Sequence, residues 1–164
     1  SEITIGALAA VNSMGSVTKP DSPIMWAADY EQNNELGGQP TQSKREPINL
    51  DFAFELPTGK NTTLVTVATD AILTKSQARR VAIMAHDGFA RAIRPVHSPF
   101  DGDSVFVIST GRQPLSDPAV GLAKLGMLAA DCVARAIARG VFEADELGGF
   151  ESYRSRYKEY FSDN

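Results

Sequence analysis

The chain has 164 residues, 43% of them apolar, which is the size of one domain with a hydrophobic core and excludes global disorder. A net charge of −4 argues against a dedicated nucleic-acid-binding protein, and no apolar run is long enough to span a bilayer. The single cysteine, Cys132, excludes an internal disulfide framework and any multi-cysteine zinc site, so a reducing cytoplasm is the expected compartment.

The N-terminal part of the chain predicts one buried strand followed by a long loop. Residues 3–12 form an apolar run that is too short and too interrupted by glycine for a helix. Since domains rarely begin with such a run, and the chain starts at Ser1 rather than at a methionine, we expect a preceding segment of the same protein. Residues 18–47 are rich in Pro, Gly, Asn and Gln and predict a loop, in which Met25 and Trp26 are candidate anchors.

The middle of the chain predicts strands and then a capped helix. Residues 50–56 alternate partly in polarity and predict a strand, followed by a turn and by a β-branched run, 61–70, that predicts another strand. Thr74 and Gln77 have the spacing of a capping box, and the apolar periodicity that follows predicts a helix as far as Ile93.

The last part of the chain predicts a buried strand and a long helix. Residues 104–109 are apolar and β-branched, and Asp117–Pro118 are an N-cap with proline at the first helical position. This helix is predicted to end at Gly140, and a final short helix is predicted to carry Phe150 and a tyrosine stripe. The order of elements predicts one layered α/β or α+β domain over residues 1–164.

The most informative stretch is the start of the second β-branched run, where Asn61 and Thr62 follow a glycine turn. A hydroxyl placed there can attack the preceding carbonyl and form an ester that water cleaves, which leaves Thr62 with a free amino group. An α-amino group has a pKa of about 7.7–8.0, so it can act as general base for its own hydroxyl. The same residues also fit an ordinary turn, and Gly59–Lys60 lack the spacing of a phosphate-binding loop.

Three further polar side chains are candidates for chemistry. Asp101 and Asp103 stand on either side of Gly102, just before a predicted strand. Two nearby carboxylates can divide the roles of acid and base or bind calcium, although the rest of an EF-hand loop is missing, and an Asp-Gly turn explains them equally. Asn12 ends the first strand, where its amide can donate to an oxyanion or cap a turn.

Other candidates favour structural roles. His86 is predicted on the first long helix and His97 in the loop after it, with no pairing pattern that indicates a metal site. Cys132 falls on the apolar stripe of the last long helix and is predicted to lie in the core.

Four segments taken in order carry a family resemblance: residues 9–17, 59–71, 85–97 and 100–103. Together they resemble the L-aminopeptidase/D-esterase family of self-cleaving N-terminal-nucleophile hydrolases. The most similar branch is that of the endo-type 6-aminohexanoate (nylon) oligomer hydrolases. The resemblance extends from Ile3 through the helix that ends at Gly140.

The resemblance implies a four-layer α-β-β-α sandwich, of which this chain is the C-terminal part. Precursors of the family carry a long N-terminal portion, which supplies further active-site residues and would be a partner of this chain. The resemblance also implies homo-oligomers, a small-molecule amide substrate, and no metal or organic cofactor.

The resemblance further assigns the site residues. It implies cleavage between Asn61 and Thr62, with Thr62 as nucleophile and its own amine as base. Asn12 would help to hold the oxyanion, and Asp101 and Asp103 would form the acidic pair beside the nucleophile. Processing would leave residues 1–61 and 62–164.

The function expected from the resemblance is hydrolysis of linear amides, with 6-aminohexanoate oligomers as the leading substrate. Thr62 and the Asp101–Gly102–Asp103 sequence favour this branch, because the aminopeptidase branch tends to carry serine as nucleophile and serine and glutamate at the acidic positions. An aminopeptidase, a D-amino-acid amidase-esterase and a pantetheine-type amide hydrolase are alternatives on the same machinery. A non-catalytic fragment that serves assembly is the alternative from another class.

Overall fold

Three strands and two long helices make up most of the structure. The computed structural model describes residues 2–40 and 61–162, so the predicted strand 50–56 lies outside the described residues. The main elements are β1 (Ile5–Ala10), β2 (Leu64–Ala71), α1 (Lys75–Ala92), β3 (Ser104–Gln113) and α2 (Pro118–Phe142). The smaller ones are a 3₁₀ helix (Trp26–Tyr30) and two short C-terminal helices, α3 (Tyr153–Arg156) and α4 (Lys158–Ser162). The expected mixed α/β architecture is confirmed.

The strands form one sheet in the order β1-β2-β3, and its topology brings three strand ends together. β1 is antiparallel to β2, with Leu8 opposite Thr66, and β3 is parallel to β2, with Phe106 opposite Thr66. The parallel pair is joined through α1, as a parallel connection requires. The C-terminal end of β1 therefore lies beside the N-terminal ends of β2 and β3, and we call this the site edge of the sheet.

Both long helices begin where the sequence predicts. The Thr74 side chain accepts the Gln77 N–H, and the Gln77 side chain accepts the Thr74 N–H, which completes the capping box of α1. The Asp117 carboxylate caps α2, which runs two residues beyond the predicted end at Gly140. The predicted final helix begins only at Tyr153, which leaves Phe150 outside it and 83% exposed.

The core lies between the sheet and the two long helices, which pack against each other on one face of the sheet. Alternate residues of β2 point into it, and Val65 and Val67 are almost completely buried, as is Phe89 from α1. The helices approach closely at Gly88, where an added Cβ would lie 2.3 Å from the Ala130 carbonyl oxygen. Only glycine fits such a contact, because real Cβ atoms do not approach backbone this closely.

The opposite face of the sheet is apolar and exposed within the described part of the chain. Leu8 is 75% exposed, Phe106 58% and Ile108 52%, and all three come from positions that alternate with the core-facing residues. Sheets of mixed type usually bury one face and solvate the other with polar residues, or bury both. An apolar second face is typical of a sheet that another layer covers.

The long first loop is anchored as expected at Met25, which is fully buried. Its N–H donates to the Gln39 side chain at 2.7 Å, and the Gln39 amide donates to the Tyr153 hydroxyl at 2.7 Å. These hydrogen bonds hold the loop against α3, near the other end of the chain.

Candidate functional site

The predicted site residues meet at the site edge of the sheet. Asn61 and Thr62 precede β2, Asp101 and Asp103 precede β3, and Asn12 follows β1. They come together because β1 runs antiparallel and β3 parallel to β2, so these three ends are neighbours. This topology brings together residues that are up to about ninety positions apart in the sequence, such as Asn12 and Asp103.

The Thr62 hydroxyl lies against the carbonyl of the peptide bond that precedes it. Its Oγ1 donates to the Asn61 carbonyl oxygen at 2.6 Å, and the Thr62 N–H donates to the Asn12 carbonyl oxygen at 2.8 Å. The Asn61–Thr62 peptide is thus held on both sides, with a nucleophilic oxygen next to a carbonyl group. Attack within one residue needs this proximity, since positioning alone supplies much of the rate in intramolecular reactions.

A second donor reaches the same carbonyl oxygen from the other strand end. The Gly102 N–H donates to the Asn61 oxygen at 2.9 Å, as part of a parallel bridge between Asn61 and Asp101. A main-chain N–H at this distance is the type of group that stabilises a developing oxyanion. An added Cβ on Gly102 would lie only 2.9 Å from Thr62 Oγ1, so glycine allows the two segments to approach.

Asn12 contributes its main chain to this arrangement. The Asn12 carbonyl oxygen is the acceptor for the Thr62 N–H, and the Asn12 side chain is exposed. The amide role expected for Asn12 at the oxyanion stays a prediction. The observed contact fixes the nitrogen that would become the free amine after cleavage.

Asp101 connects the turn after β1 to the segment before β3. One carboxylate oxygen accepts the Met14 N–H at 3.0 Å, and the other accepts hydrogen bonds from the N–H and hydroxyl of Ser98. These contacts hold the Asn12–Gly15 turn beside the residues that flank Gly102. The carboxylate therefore fixes the geometry of the site edge.

Asp103 is the buried carboxylate of the site. Its side chain is 3% exposed, and one oxygen accepts the Thr63 N–H at 2.9 Å. The other oxygen pairs with His97 Nδ1 at 2.8 Å. Both carboxylate oxygens therefore have a partner within hydrogen-bond distance.

The two histidines, which the sequence gives no reason to pair, lie in contact. His86 Nδ1 is 3.2 Å from His97 Nε2, and the ring centroids are 4.9 Å apart. Burial, together with the neighbouring His97, lowers the pKa of His86 below its ordinary value of 6.5. The rings meet because the C-terminal half of α1 and the following loop converge on Asp103, and the structural roles expected for them stay a prediction.

The two histidines and the segment before β3 line an open cleft of about 540 Å³. The residues that line it are His86, His97, Asp101, Gly102, Asp103 and Ser104, while Thr62 stands behind Gly102. Sequence reasoning named Asp101 and Asp103 but missed Gly102 and the histidines. The signal for Gly102 was its position between the two acids; the histidines carry no local signal, since their contact depends on tertiary packing.

Three further observations concern the described residues. No group of three or more His, Cys, Asp or Glu side chains there has an arrangement that could hold a metal ion. No helix among residues 2–40 and 61–162 combines the length and the apolar character needed to cross a bilayer. Cys132 is a free thiol that is half-buried rather than in the core, and burial raises its pKa.

Comparison with known proteins identifies related chains. The model of peptidase family S58 matches residues 1–155. Proteins named uncharacterized aminopeptidase in Mycobacterium bovis and Mycobacterium tuberculosis are 38% identical over 170 residues, which is 96% of this chain and 49% of each relative. One of the same description in Mycobacterium leprae is 34% identical over 160 residues, or 92% of this chain and 43% of the relative. The chain thus spans about half the length of the curated relatives it matches.

Proposed function

Because this chain belongs to peptidase family S58, we propose that it is the nucleophile-bearing part of an amide-bond hydrolase. In this proposal the protein activates itself by cleaving the bond between Asn61 and Thr62. The observation that carries it is the Asn61 carbonyl oxygen, which accepts both the Thr62 hydroxyl at 2.6 Å and the Gly102 N–H at 2.9 Å.

Self-cleavage follows from this geometry in two steps. Thr62 Oγ1 attacks the Asn61 carbonyl carbon, and the Gly102 N–H stabilises the negative oxygen of the tetrahedral intermediate. The carbon–nitrogen bond then breaks, the hydroxyl proton passes to the Thr62 nitrogen, and an ester joins Asn61 to Thr62 Oγ1. Water hydrolyses this ester to give the Asn61 carboxylate and a Thr62 with a free hydroxyl and a free amine.

The processed Thr62 then carries nucleophile and base on one residue. Its α-amine takes the hydroxyl proton as Oγ1 attacks a substrate amide, and gives that proton to the leaving amine. Water releases the acyl group from Thr62 and restores the enzyme. In this scheme Asn12 helps to hold the oxyanion, and Asp101 and Asp103 fix the segments around it.

The proposed substrate class is linear amides, with 6-aminohexanoate oligomers first. Thr62 and the Asp101–Gly102–Asp103 sequence support this branch through their resemblance to it. The relatives are named uncharacterized aminopeptidases, which supports an aminopeptidase as the second candidate. Hydrolysis rates on a 6-aminohexanoate oligomer and on amino-acid amides, measured side by side, separate the two.

The exposed apolar face of the sheet supports a further part of the proposal. We assign it to a second sheet from the remaining half of the protein, which would complete the four-layer sandwich. The relatives are about twice as long as the match, which leaves room for such a layer. A homo-oligomer and a cytoplasmic location remain proposals that follow from the family resemblance and from the single free thiol.

The test is a pair of isosteric substitutions, one just before β2 and one within it. Thr62→Val removes the hydroxyl proposed as nucleophile and keeps the branched shape, whereas Thr66→Val removes a hydroxyl four residues further along the chain. We expect the full-length Thr62→Val protein to remain uncut and inactive, and Thr66→Val to cleave and turn over normally. A processed, active Thr62→Val protein would overturn the proposal.

A further inference from the structure

Asp103 connects the nucleophile's strand to the pair of histidines. One carboxylate oxygen accepts the Thr63 N–H, the other pairs with His97 Nδ1, and His97 Nε2 in turn contacts His86 Nδ1. The Thr63 N–H belongs to the peptide formed by the carbonyl of Thr62. The chain of contacts therefore ends at the peptide group that joins Thr62 to Thr63, and the position of this group sets the orientation of Thr62.

The burial of Asp103 makes its partner important. Its side chain is 3% exposed, whereas that of His97 is 39% exposed. Removing the partner of a buried polar group leaves that group without a hydrogen bond, which costs free energy because water cannot replace the partner. Within the described residues, the His97 ring is the side chain within hydrogen-bond distance of Asp103.

The backbone and the ring contacts of His97 both indicate a constrained residue. His97 has a φ of +52°, in the left-handed region that residues other than glycine rarely adopt. Its ring packs against Phe89, at 5.3 Å between centroids, and against His86, at 4.9 Å, and these two rings also stack on each other. A left-handed residue that packing holds in place is a common feature of functional sites.

We propose that His97 is a positioning residue for Thr62, that it acts through Asp103, and that its hydrogen bond to His86 makes this positioning sensitive to pH. The inference rests on the proposed self-cleavage. Two imidazole nitrogens 3.2 Å apart share a single hydrogen. Once the two nitrogens that face each other both carry a hydrogen, two N–H groups meet and the contact breaks.

The direction of the pH effect follows from the groups around the pair. Asp103 contacts His97 directly from the segment before β3, Asp101 lines the same cleft, and Asp87 neighbours His86 on α1. Burial lowers the pKa of His86, so at neutral pH this ring is uncharged and can pair with His97. Acidification protonates His86 and separates the rings once both facing nitrogens carry hydrogen. His97 then loses the neighbour that orients its Nδ1 toward Asp103, so self-cleavage slows.

The test compares three substitutions in the full-length protein. His97→Ala removes the partner of Asp103, while His97→Asn keeps an amide donor near Nδ1 and tolerates the left-handed backbone. His86→Asn keeps a polar partner for His97 but cannot titrate. The rate of self-cleavage is followed by intact mass from pH 5 to pH 8, and thermal unfolding shows that each variant is folded.

We expect His97→Ala to cleave about 10- to 100-fold more slowly, the range for a hydrogen bond to a buried charge. His97→Asn should recover most of this rate, and both it and His86→Asn should lose the acid-side decrease of the wild type. A folded His97→Ala protein with the wild-type rate and pH profile would show that His97 is only structural and would overturn the inference.

Failure of the proposed function is recognised separately. If the wild type never cleaves, self-processing is refuted, and ¹⁵N NMR of the imidazoles in the Thr62→Val protein decides the inference on its own. We expect a proton on His97 Nδ1 and a change in the His97 signals as His86 titrates. A His97 ring without a proton on Nδ1, or one whose signals ignore the titration of His86, would overturn the inference.

Discussion

The contact between Gly102 and Thr62 offers a direct perturbation of the proposed reaction. An alanine at position 102 would put its Cβ 2.9 Å from Thr62 Oγ1, whereas ordinary van der Waals contact begins at 3.4 Å. Gly102 is not among the residues with positive φ, so alanine introduces no left-handed strain. The substitution therefore acts on the spacing between the nucleophile and the segment that carries the oxyanion donor.

The expected magnitude follows from the required displacement. Thr62 Oγ1 and the Gly102 segment must separate by about 0.5 Å, which also lengthens the contact between the Gly102 N–H and the Asn61 oxygen. A misplacement of about 1 Å costs on the order of 100-fold in rate, so half of that predicts a loss of about 10-fold, or roughly 1.4 kcal/mol. Self-cleavage of Gly102→Ala should thus be slow but complete.

The assay is a time course of intact mass after release of the protein from denaturant. Gly121→Ala, in the first turn of α2, is the matched control, since the nearest atoms to its Cβ all belong to the Leu115 side chain, the tightest being a terminal methyl carbon at 3.2 Å. We expect wild-type kinetics for the control. Wild-type kinetics for Gly102→Ala as well would refute the reasoning that this close approach positions the reacting groups.

Three further predictions concern stability and pH. Gly88→Ala should lower the free energy of unfolding by about 1–3 kcal/mol in denaturant titrations, because the new Cβ would overlap the Ala130 carbonyl and the Val133 side chain; an unchanged midpoint would contradict the close helix packing. Thr63→Val should raise the melting temperature, because the buried Thr63 hydroxyl has no hydrogen-bond partner within the described residues, and such a group costs about 1–3 kcal/mol; a lower melting temperature would mean that the hydroxyl is in use. The lowered pKa of His86 means that the unfolded chain binds a proton at this residue more readily than the folded protein does, so its contribution to stability is present above pH 6.5 and is lost as the pH falls below that value. The difference in unfolding free energy between wild type and His86→Asn should therefore shrink as the pH falls below 6.5. A difference that stays constant with pH would refute the lowered pKa.

The elements with strong local signals could be predicted from the sequence. The capping residues Thr74 and Asp117 and the β-branched run before Asp70 fix the starts of α1 and α2 and the position of β2. Local chemistry decides these features, because caps and strand propensity act within a few residues. Helix ends were less accurate, as α2 continues beyond Gly140 to Phe142.

The site could be predicted only where its residues are adjacent in sequence. Thr62 and the two acids stand in short recognisable segments, but the contact between His86 and His97 depends on how α1 and the loop after it pack. Gly102 contacts the Asn61 oxygen through its main-chain N–H, and no side-chain pattern predicts such a contact. The apolar residues on both faces of β3 predict that both faces are buried, but they do not identify the layer that would cover the second face.

The most direct test of the central claim is N-terminal sequencing combined with intact mass of the purified full-length protein. The account predicts two pieces, one ending at Asn61 and one beginning Thr62-Thr63-Leu64, with the second piece absent from the Thr62→Val variant. A single uncut chain that nevertheless hydrolyses amides, or a new N-terminus at another residue, would contradict the assignment of Thr62 as the nucleophile.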